Sequence, residues 1–238
     1  MLGIIGGSGF YTLEGKIRNC KVKTPYGGVA AQKAEVDGNE SVFIPRHGKE
    51  HSVPPHRINY RANIYALKEL GVSAVMATYA TGIISKYKPG DLILLDDFIG
   101  FFTPITFFDD FRMGIKHTDV SRPYDKELQD LLLGVAKTQK IKISKGGIAA
   151  TTPGPRFETK AEVKALKGMG ANLVSMTNAY EASLLNELGI PSAAVAVGTN
   201  YACGISKKPL SAEEVMVCMK KAEGSLAGLA SGMIREVY

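Results

Sequence analysis

The chain has 238 residues, enough to enclose a sizeable core in one α/β domain. Its net charge of +6 comes from scattered lysines, without the basic stripe and interleaved aromatics of a nucleic-acid binder, and suits a small anionic partner. No apolar window reaches the length of a membrane span, no leader pattern opens the chain, and the three cysteines, Cys20, Cys203 and Cys218, form no C-x-x-C pair, so a cytoplasmic protein with reduced thiols is expected.

Leu2 to Ile5 is a short apolar run that ends in Gly6-Gly7-Ser8-Gly9, which reads as a buried strand opening into a turn. Such a loop can aim backbone N–H groups and the Ser8 hydroxyl at an anion. It has neither the G-x-G-x-x-G spacing of a dinucleotide fingerprint nor the lysine of a P-loop, so a plain tight turn stands beside that reading. From Gly15 to Glu40, irregular alternation broken by Pro25, Gly27, Gly28 and Gly38 predicts meandering strands.

Val42-Phe43-Ile44 reads as a strand with Arg46 and His47 at its carboxyl end, where open α/β sheets bind their ligands. Between Arg46 and Arg57 fall three of the chain's four histidines and a single acid, Glu50, a mixture that favours an anion such as phosphate. The same residues also fit a solvated turn stiffened by Pro54-Pro55. A metal site is the weaker reading, because no carboxylate or thiolate accompanies the histidines at ligand spacing.

Tyr60, Ile64, Leu67 and Leu70 mark an amphipathic helix that Gly71 ends. Ala74 to Thr78 then reads as a buried strand leading into a small-residue loop, Tyr79-Ala80-Thr81-Gly82, and Leu92 to Leu95 as a further strand. Residues 98–123 carry aromatics, Arg112 and His117 without periodicity, as a functional loop or oligomer contact would. A helix through Leu128, Leu131, Leu132 and Val135 precedes a strand at Gly147 to Thr151 and a proline-stiffened turn, Thr152 to Thr159. Leu173 to Thr177 predicts another strand, and Asn178 with Glu181 has capping-box spacing. Ala193 to Val197 leads into Gly198-Thr199-Asn200-Tyr201-Ala202. Ser211 caps a last helix whose Val215, Met219, Ala222, Leu226, Leu229 and Met233 recur at helical spacing. This alternation of strands and helices argues for an α/β sheet without linker or repeat.

Taken together, Gly6-Gly7-Ser8-Gly9, Arg46-His47-Gly48 with His51, Asn59-Tyr60-Arg61-Ala62-Asn63, Gly154-Pro155-Arg156-Phe157-Glu158 and Met176-Thr177-Asn178-Ala179 with Glu181 resemble, in order and spacing, the methylthioadenosine phosphorylase branch of the purine nucleoside phosphorylases. The resemblance spans nearly the whole chain and implies one nucleoside phosphorylase domain over residues 1–238, with a central mixed sheet curling toward a barrel between flanking helices. It further implies a homotrimer with sites at subunit interfaces, no cofactor, and inorganic phosphate as co-substrate. Phosphate would attack the anomeric carbon of a purine nucleoside, releasing free base and a pentose 1-phosphate.

Carried over residue by residue, the resemblance gives phosphate to Ser8, Arg46, His47, the backbone around Tyr79 and Ala80, and Thr177. Met176 would lie along the ribose, Phe157 would pack on the base, and Glu158 with Asn200 would read its edge. Asn200, as donor to the departing purine, and His47 are the catalytic candidates. His117 resembles a residue that closes the 5′ side of a neighbouring subunit's site, and Ala212, Val215 and Met216 match an apolar 5′ pocket, although Val215 and Met216 also fit ordinary core.

The adenine-specific members resemble one another in an Asp at the position of Asn200, a second Asp at that of Ala202 and a small hydroxyl residue at that of Glu158. All three differ here, and Glu158 is similar to the glutamate of inosine- and guanosine-cleaving members. A carboxylate accepts from the N1–H of a 6-oxopurine but would face the lone pair of adenine N1, and the Asn amide can donate to O6 or N7. The resemblance is therefore to the 6-oxopurine-specific methylthioinosine phosphorylases, with 5′-methylthioinosine the expected substrate, and inosine or guanosine, then methylthioadenosine, as alternatives. Tyr79 stands where the family often has a threonine that touches phosphate. Two rivals are a phosphatase that passes phosphate through a histidine, for which Lys49-Glu50-His51 lacks the companion motif, and a nucleoside-binding protein without catalysis.

Overall fold

The computed structural model describes residues 1–11, 13, 15–112, 114–207 and 209–237, and of Lys49 only the backbone; Met113, in the stretch before His117, lies outside them. The strands are β1 (Leu2–Gly6), β2 (Lys16–Thr24), β3 (Gly27–Val36), β4 (Asn39–Pro45), β5 (Ala74–Ile83), β6 (Leu92–Ile99), β7 (Ile143–Thr151), β8 (Leu173–Ser175) and β9 (Ser192–Tyr201). The helices are α1 (Tyr60–Glu69), α2 (Lys126–Thr138), α3 (Lys160–Gly168), α4 (Asn178–Glu187) and α5 (Ala212–Glu236).

All nine strands join one mixed sheet in the order β2-β3-β4-β1-β5-β8-β7-β6-β9, and β9 returns to pair with β5. Strands β5, β8, β7, β6 and β9 thus close a five-stranded ring, from which β1, β4, β3 and β2 extend as an open wing. The expected curl of the sheet is therefore a full closure, which removes free edges from that half of the sheet.

The period-two alternation of the strands sorts side chains onto two faces. Val42, Ile44, Val75, Ala77 and Tyr79 join the core under α1 and α4, which contribute Ile64, Leu67, Ala182 and Leu185. Leu2, Ile4, Phe43, Ala74 and Met76 face the other way, against Leu132 and Val135 of α2 and Met219, Leu226, Leu229 and Met233 of α5. The periodic stripe read along the last helix is thus buried, apart from Val215, which is half-buried at its start.

Strand β5 organises the functional end. Its first residues pair with β1, Leu2 opposite Ala74 through Ile5 opposite Ala77, while on the same side its last two, Gly82 and Ile83, pair with β8. Between them β1 and β8 diverge, and the turn after β1 and the start of α4 after β8 both open beside Thr78 to Thr81. Such a switch in strand pairing leaves a crevice. The sequence reading placed a loop at Tyr79 to Gly82; the strand instead continues to Ile83, held by β9 along its other edge with a bulge between Thr81 and Gly82. Similarly, β9 runs on to Tyr201, and β8 stops at Ser175 rather than Thr177.

Candidate active site

A cavity of about 310 Å³ occupies this crevice, within the range of small-molecule sites. Its lining includes Ser8, Arg46, His47, Ala80 and Thr177. Phe157, Glu158, Met176 and Asn200 also line it, as do Ala212, Val215 and Met216 from the start of α5. Residues from distant parts of the sequence converge because β1, β4, β5, β8 and β9 all end or pass at this rim.

Arg46 is buried, at 3% exposure. Its Nε and Nη2 donate to Glu181 Oε1 and Oε2 at 2.6 and 2.7 Å, and Nη1 donates to the Thr78 carbonyl at 2.9 Å. Burial alone would lower its pKa, but the facing carboxylate outweighs burial and holds the guanidinium charged. Three of the five guanidinium N–H groups are taken by protein, which leaves two for a ligand.

His47 behaves differently. Its Nδ1 lies 2.9 Å from the Val53 carbonyl, which can only accept, so in the neutral ring Nδ1 carries the proton and Nε2 offers a lone pair. Burial, then the charge of Arg46, pushes its pKa down to about 4, and burial also lowers that of His51, whose ring lies 4.3 Å from that of His47. A neutral His47 can accept a hydrogen bond from a hydroxyl, including that of hydrogen phosphate.

Thr177 is the N-cap of α4, makes no side-chain capping bond and lines the cavity, which places the start of the helix beside it. The expected capping box at Asn178 and Glu181 is absent, because both side chains are engaged elsewhere. Asn178 lies within the helix and accepts from the Thr151 hydroxyl, while Glu181 binds Arg46.

Thr152 Oγ1 donates to Glu158 Oε1 at 2.7 Å, fixing one carboxylate oxygen. Asn200 is oriented by Thr199 Oγ1, 2.7 Å from its Oδ1, and by its own Nδ2 donating to the Tyr201 carbonyl at 3.1 Å. Glu158 and Asn200 are 5% and 4% exposed, so a polar group left unpaired against them would not be rescued by bulk water. Gly154 lets the turn lie against Met176: a Cβ on it would meet Met176 Sδ at 2.7 Å.

The side chains of Tyr79, Ala202 and His117 do not line this cavity; for phosphate the resemblance gives only the backbone around Tyr79, and it gives His117 to a neighbouring subunit's site. The Tyr79 side chain points to the opposite face of β5 from Ala80, as strand alternation dictates, and its hydroxyl donates to Glu181 Oε2 at 2.9 Å behind the cavity wall. Ala202 continues the ladder by donating its N–H to the Ile83 carbonyl at 2.8 Å and buries its methyl with Ile84, Ala150 and Val174. His117 sits in the long 100–123 segment, in a separate hollow with Phe108, Phe111 and Glu187, apart from this subunit's own cavity. Thr152, Thr199 and the partnership of Glu181 with Arg46 escaped the sequence reading, since each is a pairing through space with no periodic signature. Among the described residues, no cluster of three His, Cys, Asp or Glu could hold a metal ion, and no helix is long and apolar enough to cross a membrane.

The chain is similar to known proteins along nearly its whole length. The 6-oxopurine nucleoside phosphorylase of Pyrococcus furiosus is 44% identical over 92% of this chain and 86% of its own. A Methanopyrus kandleri protein named a probable S-methyl-5′-thioinosine phosphorylase is 42% identical over 90% of this chain and 84% of its own. Among solved structures, methylthioadenosine phosphorylase from Schistosoma mansoni in complex with adenine superposes with a TM-score of 0.92 at 29% identity, covering 99% of this chain and 91% of that one. The model of the phosphorylase superfamily matches residues 1–235, and with relatives of this similarity along nearly its whole length, the chain belongs to that superfamily.

Proposed function

We propose that the protein is a pentosyltransferase that cleaves 6-oxopurine nucleosides with inorganic phosphate, with 5′-methylthioinosine as the preferred substrate. A phosphate oxygen bonds to the anomeric carbon as the glycosidic C–N bond breaks, and the bonding pair leaves with the purine. The products are hypoxanthine and 5-methylthioribose 1-phosphate. The observation that carries the base assignment is the buried pair of Glu158, held by Thr152, and Asn200, held by Thr199, on one cavity. The names of the two relatives at 44% and 42% identity support the same base class.

Phosphate is already a competent nucleophile, so the chain's task is to position it and stabilise charge. The two open N–H groups of Arg46, the Ser8 and Thr177 hydroxyls and the backbone at Ala80 hold the anion, and neutral His47 accepts from its hydroxyl. Met176 packs along the sugar and Phe157 against the base. Glu158 accepts from N1–H, and the Asn200 amide donates to O6 or N7 and stabilises the negative charge that arrives on the purine. The apolar lining by Ala212, Val215 and Met216 supports a thioether at the 5′ position, which gains stabilisation with the apolar area it buries. Inosine and guanosine form the second reading, favoured by the broader name of the 44%-identical relative.

The enzyme acts without a cofactor as a homotrimer in the cytoplasm, with His117 of one subunit closing the 5′ side of its neighbour's site. The exposed aromatics Phe101, Phe102 and Phe111 in the same segment support such a contact.

The test is base release from methylthioinosine, inosine, guanosine and methylthioadenosine, with and without phosphate and after treatment with a chelator. Phosphate-dependent release of hypoxanthine, fastest from methylthioinosine and indifferent to the chelator, is expected. Faster release of adenine would overturn the base assignment.

A further inference from the structure

Arg46 is gripped on several sides by groups that are not expected to touch either substrate. Glu181, fully buried, takes its Nε and Nη2 in a two-point fork. Tyr79 lies with its ring centroid 4.6 Å from Arg46 Cζ and donates its hydroxyl to the same Glu181 oxygen that receives Nη2. The Thr78 carbonyl takes Nη1. The backbone of Gly7 also lies against it, where a Cβ would stand 2.2 Å from Nη1.

We propose that Glu181, Tyr79 and Gly7 are positioning residues for phosphate: together they fix the plane of the Arg46 guanidinium so that its two remaining N–H groups face the anion. The proposal rests on reading Arg46 as a phosphate ligand. It gives a role to the tyrosine at position 79, whose side chain is turned away from the cavity. The hydroxyl acts through Glu181 and Arg46 instead of touching the anion. It also explains why the glycine-rich turn after β1 needs glycine at its second position, where φ is ordinary but the guanidinium fills the space a methyl would occupy. A guanidinium held this way has lost its rotational freedom before the ligand arrives, so less entropy is lost on binding.

The decisive variants keep the site's charge. Glu181→Asp retains the carboxylate but shortens it by one methylene, beyond reach of the two-point fork, and Gly7→Ala pushes directly on Nη1. The affinity of the intact protein for inorganic phosphate alone, and separately for inosine alone, is measured by calorimetry. Each variant should bind phosphate about tenfold more weakly or worse, with inosine affinity within about twofold of the parent. Phosphate affinity within about twofold of the parent in either folded variant, or parallel losses for both ligands, would overturn the proposal. If neither variant folds, Tyr79→Phe decides: it keeps the ring and the carboxylate, about threefold weaker phosphate binding is expected, and no change overturns the clamp. Because phosphate binding is read without turnover, a parent protein that binds phosphate yet releases no base removes the proposed function and leaves this test standing.

Discussion

Glu158 and Asn200 differ from ordinary polar residues in being buried with one hydrogen-bonding atom already committed to a threonine. That leaves the second carboxylate oxygen and, because Asn200 Nδ2 also donates to the Tyr201 carbonyl, one amide N–H with fixed directions, so on the proposed assignment base choice is a matter of matching donors to acceptors. Replacing Glu158 with Ser and Asn200 with Asp together should shift relative kcat/KM toward adenine nucleosides by at least about tenfold, because each buried mismatch costs roughly 1–3 kcal/mol. Parallel measurement on inosine and adenosine checks it. His47 yields a prediction of a different kind. Its pKa falls from 6.5 in an unfolded chain to about 4 here, first through burial and then through Arg46, so the unfolded state binds more protons between those values. The corresponding stability, about 3 kcal/mol, is intact above pH 6.5 and is lost progressively as pH falls toward 4. Urea unfolding at pH 7 and at pH 4.5 should show that loss, and His47→Gln should flatten it.

At the scale of elements, the strands and helices with clean periodicity were legible. The runs at β1, β4 and β7 and the stripes of α1, α2 and α5 follow from apolar spacing alone, and Ser211 does cap α5 through the Glu214 N–H. Legibility failed where tertiary pairing overrode local signals. Tyr79-Ala80-Thr81-Gly82 looks like a loop because small and polar residues interrupt the apolar run, yet β9 holds those residues in the ladder. Asn178 and Glu181 have capping-box spacing, but a buried arginine competes for the glutamate and a threonine hydroxyl for the asparagine. The resemblance supplied most of the site, for no spacing rule places Ser8, Arg46, Glu158 and Asn200 on one cavity. Ala202, two residues after Asn200, falls beyond the strand end, where the chain turns its methyl into the core.

At the scale of the whole molecule, the closed ring and the open wing divide the work. The ring carries β5, β8 and β9, and so Ala80, Thr177 and Asn200; the wing carries β1 and β4, and so Ser8 and Arg46. Neither half holds the cavity alone. Strand β5 pairs with both, which joins the two groups of cavity residues through one continuous backbone.

The ion pair between Arg46 and Glu181 has an electrostatic consequence. Around the cavity, Arg46 is balanced by Glu181 behind it and opposed again by Glu158, while His47 is neutral near pH 7, so the formal charges there sum to no positive excess. The chain's +6 lies elsewhere on its surface. On the proposed assignment, a phosphate anion is thus caught by oriented N–H and O–H dipoles at short range and not drawn in by a field reaching into solution. Its KM should therefore change by less than about twofold between roughly 50 and 500 mM potassium chloride, whereas a cationic funnel would lose affinity steeply over that range. The same economy of charge helps the sugar phosphate product depart, since no ionic well holds it back.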